Sequence, residues 1–209
     1  MSQKWDERYK STDFAYGTEP NVFFREWLPA FTPGSILMPA DGEGRNGIFA
    51  AQTGWKVTSC DFSTEARSKA MLLAREKQVA LEYLVGDFSL LSFQPASFDA
   101  IGLIYAHLDS PDKSVFHRQL NGYLRPGGII ILEAFSKQHL HYKQLNPGVG
   151  GPGDLQSLYS KTEITADFHN YDILLLEEEV IFLQEGSFHV GEGAVVRFVG
   201  RKRGDDVTR

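Results

Sequence analysis

One stretch of this chain combines a short apolar run, a glycine turn and a helix start. Residues 36–47 read ILMPADGEGRNG, and the last six of them, Gly42 to Gly47, spell GxGxxG. Glycines let the backbone of such a turn approach a ligand, and the helix N-terminus that follows favours negative charge. The pattern predicts a nucleotide-binding strand–loop–helix unit, with a plain tight turn as the alternative.

The remaining chain alternates strand and helix patterns, which extends this unit into a doubly wound sheet. Two longer strand patterns finish the chain and are joined closely enough for an antiparallel pair. The expected fold is therefore α/β, a doubly wound and mostly parallel sheet with a C-terminal antiparallel hairpin. Predicted strands cover residues 35–38, 55–60, 81–85, 98–104, 129–134, about 171–183 and 193–202, and predicted helices cover 20–31, 45–52, 63–77, 111–124 and 155–168.

Length and charge narrow the classes of protein. The 209 residues most simply form one domain, 1–209, with a helical lid over 1–31 and an α/β core over 32–209. The net charge of -6 gives no general attraction to nucleic acid or to an anionic membrane. The single cysteine excludes an internal disulfide, and neither a signal core nor a membrane-spanning run is found. We expect a cytoplasmic protein and leave its oligomeric state open.

Two carboxylates follow the next strands along the chain. Asp61 lies about 20 residues after the glycine loop, where an acid can accept hydrogen bonds from ribose hydroxyls; the alternative is a helix cap. Asp87 and Phe88 follow the third strand, so Asp87 can accept from an adenine amino group while Phe62 or Phe88 packs on the ring. A surface turn is the alternative for this second pair.

Together these residues resemble the class I S-adenosylmethionine-dependent methyltransferases. The opening of the chain is similar to the branch that contains tellurite-resistance and thiopurine-type small-molecule methyltransferases. The family implies a Rossmann-like sheet of seven strands whose last pair is antiparallel. The resemblance rests on DGEGRN (41–46), CDFS (60–63), GDF (86–88), YAHL (105–108), LRPGGIIILEAF (124–135), WDERY (5–9) and YGTEPN (16–21).

The resemblance implies S-adenosylmethionine as the cofactor and S-adenosylhomocysteine as its product. The loop 40–44 would face the methionine portion, and Arg45 or Arg8 would pair with its carboxylate. Trp5, Tyr9 and Tyr16 would close over the sulfonium, unless they simply pack an N-terminal helix on the core. The implied cofactor-binding residues are Trp5, Arg8, Tyr9, Ala40, Asp41, Gly42, Gly44, Arg45, Asn46, Asp61, Phe62, Asp87, Phe88 and Tyr105.

The chain departs from the family where the glycine loop begins. The family often has hydrophobic-Asp-hydrophobic-Gly before the loop, and this chain has Met38-Pro39-Ala40. Asp41 offers a replacement charge, whereas Ala40 should keep the backbone further from a ligand than glycine does. Cofactor binding is therefore expected to be weaker or reshaped, which makes a non-catalytic S-adenosylmethionine-binding protein the main alternative to an enzyme.

The methyl acceptor is expected beside the fourth strand. His107 and Tyr105 of YAHL are the candidate catalytic residues; His107 can act as a base, or it can be a structural histidine. The Asn/Asp-Pro-Pro-aromatic motif of amide- and base-directed enzymes is missing here, which argues against DNA and protein-glutamine substrates. A small molecule carrying a thiol, selenol, metalloid oxyanion or metabolite hydroxyl remains.

Two other kinds of site fit the sequence less well. A nicotinamide oxidoreductase of this size needs a Tyr-x-x-x-Lys pair, and no tyrosine here has lysine four positions on. His139 and His141 have strand-like spacing, but no further Cys/His pattern completes a zinc site, so they are expected to be histidines at a sheet edge or in a loop. His189 is expected in the loop of the final hairpin.

Overall fold

The structure, a computed structural model, describes residues 2–107 and 113–204. Its centre is a sheet of seven strands, which run β1 Ser35–Pro39, β2 Lys56–Asp61, β3 Glu82–Val85, β4 Phe98–Ile104, β5 Leu124–Phe135, β6 Tyr171–Glu185 and β7 His189–Lys202. Across the sheet the order is β3-β2-β1-β4-β5-β7-β6. Strands β1 to β5 pair in parallel, and β7 is antiparallel to both β5 and β6. This confirms the predicted fold class.

The sheet is covered on both faces because its central strands send alternate apolar side chains to opposite sides. Ile129 and Ile131 of β5 belong to one core cluster, whereas Ile130 and Leu132 belong to the other. Such two-sided burial explains why these strands are short continuous apolar runs in the sequence.

Helices precede and connect the strands. They are α1 Ser2–Tyr9, α2 Val22–Trp27, α3 Arg45–Gln52, α4 Thr64–Glu76, α5 Lys113–Tyr123, α6 His139–Leu145 and α7 Lys161–Asp167. Side-chain caps fix two of the starts: Ser63 Oγ accepts from the N–H of Ala66 in α4, and Asn21 Oδ1 accepts from the N–H of Phe24 in α2. The predicted start of α5 near residue 111, and Leu108 of the YAHL motif, lie outside the described residues.

Three local expectations were wrong. The helix expected over 155–168 forms only as α7, because Ser160 caps it at a later start through the N–H of Glu163. His139 and His141 lie on helix α6 rather than at a sheet edge or in a loop. His189 is the first residue of β7 rather than part of the hairpin loop.

The connection from β3 to β4 contains a 3₁₀ turn, Phe88–Leu90, where the other units have an α-helix. The Phe88 ring is buried in the core, where it meets the Phe116 ring edge-on at 4.8 Å between centroids. In the described part of the chain, no helix has the length and apolar character needed to cross a lipid bilayer.

Candidate active site

A cleft of about 500 Å³ lies at the carboxyl ends of the parallel strands. Its walls come from α1, from the loops after β1, β2 and β4, from residues 147–154, and from the β6–β7 turn. The structure brings together at this cleft most of the residues that the sequence pointed to as cofactor-binding: Trp5, Arg8, Tyr9, Ala40, Asp41, Gly42, Arg45, Asn46, Asp61, Phe62 and Tyr105.

Two glycines of the GxGxxG segment, one in the loop after β1 and one in the first turn of α3, are required by what surrounds them. Gly42 has a φ of 55°, and a Cβ there would lie 2.8 Å from the hydroxyl of Tyr9. A Cβ on Gly47 would lie 2.4 Å from the carboxylate of Asp41 and 2.6 Å from the hydroxyl of Ser59. The loop therefore packs tightly between α1 and β2, with its first glycine bordering the cleft.

Asp61 ends β2 and faces the cleft with a carboxylate that two backbone groups orient. Its Oδ2 accepts from the N–H of Gly42 and its Oδ1 from the N–H of Ser63, both at 3.0 Å. Burial raises the pKa of Asp61, against the effect of the hydrogen bonds from Ser63 and Gly42. Since each carboxylate oxygen can accept more than one hydrogen bond, both oxygens retain accepting capacity for a ligand.

Asp41 lies beneath the glycine loop and supports it. Its carboxylate accepts from Ser59 Oγ at 2.6 Å and from the N–H of Gly47 at 3.3 Å. Burial raises its pKa to about 7, although these two hydrogen bonds oppose the shift. The carboxylate of Asp41 is thus already hydrogen-bonded to protein groups. It is not a direct substitute for the carboxylate that the family often has at the position of Met38.

The two departures from the family pattern have different consequences. The Met38 side chain is buried and packs against Gly102 of β4, so it lies in the core instead of filling the cleft. Ala40 is exposed at the cleft and has a φ of 53°, a left-handed conformation that glycine adopts more easily. The backbone at residue 40 therefore keeps the left-handed conformation that favours glycine, although the residue is alanine.

Helix α1 covers one end of the cleft with aromatic and basic side chains. The rings of Trp5 and Tyr9 stack at 5.8 Å between centroids. The Arg8 guanidinium lies 4.1 Å from the centroid of Phe188 and donates to the hydroxyl of Tyr16 at 2.9 Å. These contacts tie the helix to the β6–β7 turn across the cleft.

Arg45 is held by internal partners. Its Nη2 lies 3.0 Å from Glu185 Oε1, and its Nη1 donates to the carbonyls of Tyr16 and Glu19. Of the two arginines considered for a ligand carboxylate, Arg8 is therefore the more available.

A tether that the sequence did not reveal joins the N-terminal segment, residues 14–17, to the glycine loop. Glu43 is buried; its Oε2 accepts from the N–H of Ala15 at 2.8 Å, and its Oε1 lies 2.5 Å from Lys69 Nζ. The carbonyl of Ala15 in turn accepts from the N–H of Ser187 in the β6–β7 turn at 3.0 Å. The segment thus connects opposite walls of the cleft.

A buried polar network lies under the cleft floor. Glu133 of β5 is fully buried and accepts from Asn21 Nδ2 at 2.6 Å, from the hydroxyl of Tyr105 at 2.7 Å and from Arg197 Nε at 2.5 Å. Asn21 also donates to Glu185. Burial and the carboxylates of Glu133 and Glu185 hold the pKa of Tyr105 well above its ordinary value, so its hydroxyl is a donor and not a base.

The structure does not support the prediction of His107 as a catalytic base. Its Nδ1 lies 2.9 Å from the carbonyl of Ser157, and its Nε2 accepts from the N–H of Phe135 at 3.2 Å. Burial lowers its pKa to about 4, although the bond to Ser157 opposes the shift. Both ring nitrogens are thereby engaged in holding loops together, which is the structural role considered as the alternative.

The predicted adenine-binding pair also lies elsewhere. Asp87 accepts from the N–H and the hydroxyl of Ser89, at 2.9 Å and 2.7 Å, and so closes the turn after β3. The Phe88 ring is in the core, and neither residue lines the cleft, nor does Gly44. Phe62, the other ring considered for this role, does border the cleft.

Sequence reasoning missed the cleft side chains that the chain contributes from the last residue of β5 onward. They line the cleft because β7 is antiparallel to β5 and therefore begins at the edge where β5 ends. The predicted hairpin was the one signal that could have pointed to these residues, because an antiparallel strand paired with β5 must begin near the end of β5. The missed residues are Phe135, Lys143, Phe188 and His189, with Glu185 behind them.

Comparison with known proteins adds sequence and fold relatives. A family profile described as a methyltransferase domain matches residues 36–128. The 2-methyl-6-phytyl-1,4-hydroquinone methyltransferase of Synechocystis sp. is 30% identical over 122 residues, which cover 57% of this chain and 38% of that protein. The chain thus spans well under half the length of this curated relative.

Solved structures resemble the fold over nearly the whole chain. One, from work on the conversion of a disulfide bond into a thioacetal group during echinomycin biosynthesis, has a TM-score of 0.77 at 16% identity, covering 100% of this chain and 95% of that one. TehB from Haemophilus influenzae has a TM-score of 0.70 at 13% identity, covering 97% and 67%. At these identities the likeness establishes the fold.

Proposed function

We propose that this chain, whose residues 36–128 match a methyltransferase-domain profile, is a class I S-adenosylmethionine-dependent methyltransferase that transfers a methyl group to a small-molecule nucleophile held in the cleft. The observation that carries the proposal is the Asp61 carboxylate, oriented by the glycine-loop N–H and open to the cleft. An acid at the end of the second strand suits the two hydroxyls of a ribose.

The residues around Asp61 fit the rest of the cofactor. Phe62 offers a ring on the adenine side, and residues 40–42, which line the cleft, offer backbone polar groups to the methionine portion. Arg8 is the guanidinium available to a carboxylate, and the Trp5 and Tyr9 rings suit a cationic sulfur. When bound, the cofactor supplies an electrophilic methyl group on that sulfur.

The size of the cleft favours a small acceptor. A volume of about 500 Å³ under α1 and the loop 147–154 is in the range of small-ligand sites rather than of open macromolecular surfaces. The acceptor classes that remain are a thiol, a selenol, a metalloid oxyanion or a metabolite hydroxyl. In-line transfer depends mainly on positioning and on exclusion of water, and the aromatic side chains that line the cleft favour both.

A non-catalytic protein that binds S-adenosylmethionine or S-adenosylhomocysteine is the second candidate. The observation in its favour is that neither His107 nor Tyr105 offers a lone pair positioned to remove a proton. Release of S-adenosylhomocysteine in the presence of an acceptor distinguishes the enzyme from the binding protein.

Calorimetric titration with S-adenosylhomocysteine, with NAD as the comparison ligand, tests the cofactor assignment first. Binding of S-adenosylhomocysteine alone is expected. Asp61→Ala should weaken it more than tenfold, a loss of about 1.4 kcal/mol or more, because buried ribose hydroxyls lose their acceptor.

Asp87→Ala is the matched control, since its carboxylate closes a turn outside the cleft and its loss should leave the affinity unchanged. Circular dichroism should show both variants folded. The proposal fails if the folded wild-type protein does not bind S-adenosylhomocysteine, or if Asp61→Ala binds it as tightly as wild type.

A further inference from the structure

His189 occupies the cleft in a fixed orientation. It begins β7 beyond the carboxyl end of β5, on the side of the cleft away from Asp61 in the strand order. Its ring centroid lies 4.5 Å from that of Tyr16, 4.8 Å from that of Tyr105 and 5.2 Å from that of Phe135. Three aromatic rings thus hold a ring that is only 5% exposed yet lines the cleft.

A carboxylate sets the tautomer of this histidine. His189 Nδ1 lies 2.9 Å from Glu185 Oε2, and because a carboxylate only accepts, Nδ1 carries the hydrogen. Nε2 then has a lone pair. Throughout residues 2–107 and 113–204, no group is hydrogen-bonded to Nε2, and the atom is not sealed from the cleft.

The charged groups near His189 and Glu185 leave the histidine neutral and the glutamate ionised, so that the histidine can accept a proton. Burial lowers the pKa of His189, Glu185 opposes the shift, and Arg45 of α3 and Arg8 of α1 add to it. Burial disfavours ionisation of Glu185 as well, but the hydrogen bond from His189 and the charge of Arg45 outweigh it and hold the pKa of Glu185 at about 2. A neutral imidazole beside a carboxylate results at neutral pH.

The other titratable groups that face His189 do not compete with it. His107 and His139 each have a pKa lowered to about 4, chiefly by burial, and so are neutral. Lys143 lines the same cleft, but its Nζ donates to the carbonyls of Gly150 and Gly151. It is a positive charge near the cleft rather than a base.

We propose that His189, oriented by Glu185, is the general base of this cleft and that the acceptor is an aromatic hydroxyl. The inference rests on the proposed methyltransferase function. Nε2 takes the hydroxyl proton while the oxygen forms its bond to the methyl carbon. The carbon–sulfur bond breaks with its electron pair left on sulfur, so the products are a methyl ether, S-adenosylhomocysteine and an imidazolium that releases its proton to water.

The need for a base separates the acceptor classes left open above. A thiol has an ordinary pKa of about 8.5 and supplies a reactive thiolate near neutral pH unaided, whereas a phenol, at about 10, does not. The planar rings of Tyr16, Tyr105 and Phe135 around the base suit a flat aromatic partner. A base built into such walls therefore points to a phenol-type substrate.

Turnover of two probe acceptors tests this inference. Catechol and thiophenol are supplied with S-adenosylmethionine, and S-adenosylhomocysteine is measured. Catechol turnover is expected, and His189→Gln should lower its kcat by about 10²-fold or more, because general-base catalysis typically contributes that much. Any thiophenol turnover should be unchanged in the variant. Turnover of thiophenol without catechol, or an unchanged catechol kcat in His189→Gln, would overturn the proposal.

Two further measurements distinguish a failure of the proposed role of His189 from a failure of the proposed cofactor binding. His189→Gln should bind S-adenosylhomocysteine as wild type does, with the exposed His141→Gln as the matched histidine control. Nitrogen NMR of the histidine rings requires no acceptor: it should show the His189 hydrogen on Nδ1 and a neutral ring at pH 7. An imidazolium at pH 7, or a hydrogen on Nε2, would overturn the role of His189 even if S-adenosylhomocysteine binds.

Discussion

Ala40 adopts a backbone conformation that carries a cost for any residue with a Cβ. Its φ of 53° lies in the left-handed region, which costs an L-residue about 1–2 kcal/mol relative to the common regions. The strain lies at the mouth of the cleft, in the loop whose backbone borders the proposed cofactor. Because of this strain, a substitution at residue 40 should change both the free energy of unfolding and the affinity for the ligand.

Ala40→Gly should raise the free energy of unfolding by about 0.5–1 kcal/mol, since the strain relieved exceeds the flexibility that glycine adds to the unfolded chain. It should also tighten S-adenosylhomocysteine binding by opening the backbone to the ligand. Denaturant unfolding and calorimetry measure the two effects.

Ala96→Gly is the control, because Ala96 is exposed with the same φ of 53° and lies in the loop before β4, outside the cleft. It should gain stability without any change in affinity. A loss of stability in Ala40→Gly beside a gain in Ala96→Gly would contradict the assignment of strain at residue 40.

Single residues differ in how far the sequence reveals their surroundings. The position of Asp61 at the cleft was predictable, because it depends only on which residues end a strand and follow a glycine turn. The state of His107 was not, since its ring nitrogens meet Ser157 and Phe135, groups that the chain brings back from 50 and 28 residues away. Hydrogen-bond partners at such separations leave no local pattern.

At the scale of elements, the N-terminal segment is positioned by one buried ion pair. Lys69 of α4 pairs with Glu43 and also donates to the carbonyls of Ser11 and Asp13, at 2.9 Å and 2.6 Å. Its loss would leave the Glu43 carboxylate buried without a countercharge, which is unfavourable. The covering of the cleft therefore depends on a side chain outside it.

Lys69→Met keeps the length and apolar stem of the side chain but removes its donors. We expect the amide of Ala15, which donates to Glu43, to exchange its hydrogen at least about tenfold faster, because the tether opens at a lower free energy. Affinity for S-adenosylhomocysteine should fall as well. Hydrogen exchange followed by NMR measures the first effect.

Lys77→Met provides the comparison, since Lys77 caps the exposed end of the same helix. It should leave both the Ala15 exchange rate and the affinity as in wild type. Equal protection of the Ala15 amide in wild type and Lys69→Met would show that the ion pair does not hold the segment.

Element boundaries show where sequence patterns stop being informative. The apolar spacing over 155–168 suggested one helix, but Asp154 accepts from the N–H of Ser157 and turns the chain before α7 begins. Asp and Ser side chains offer the backbone such alternatives to helix, and spacing alone does not reveal which one wins.

For the whole molecule, the sheet was the most predictable feature. Strands buried on both faces leave continuous apolar runs, and the final hairpin follows from two long strand patterns close together. The position of β7 between β5 and β6 was not predicted, because no local signal in the sequence indicates which strands β7 pairs with. The cleft residues from the end of β5 onward were missed because their place in the cleft depends on this position of β7.

Two histidines whose pKa values are lowered by burial, His107 and His139, give the whole molecule an acid-sensitive stability. The folded protein holds the pKa of His107 and of His139 at about 4, while in the unfolded chain each ring takes up a proton near its ordinary value of 6.5. The unfolded state therefore binds more protons between pH 6.5 and 4, so the free energy of unfolding should fall as pH is lowered through that window. The limit is about 1.4 kcal/mol per pH unit for each ring.

Urea unfolding at pH 7 and pH 4.5 measures this dependence. His139→Gln should lose part of the slope, whereas His141→Gln, on the exposed side of the same helix, should retain all of it. The opposing contribution of Asp41, whose raised pKa favours the folded state at lower pH, is common to all three proteins. Equal slopes in wild type and His139→Gln would contradict a neutral buried ring.

The antiparallel strand β7 also orders events in time as the chain is made. It is the last of the seven strands to leave the ribosome, yet it lies between β5 and β6 and brings His189 to the cleft. A nascent chain that has already exposed its glycine loop still lacks the strand that joins β6 to the rest of its sheet. Such a chain has the residues proposed for the cofactor before it has those proposed for the acceptor, so any methylation awaits the last strand.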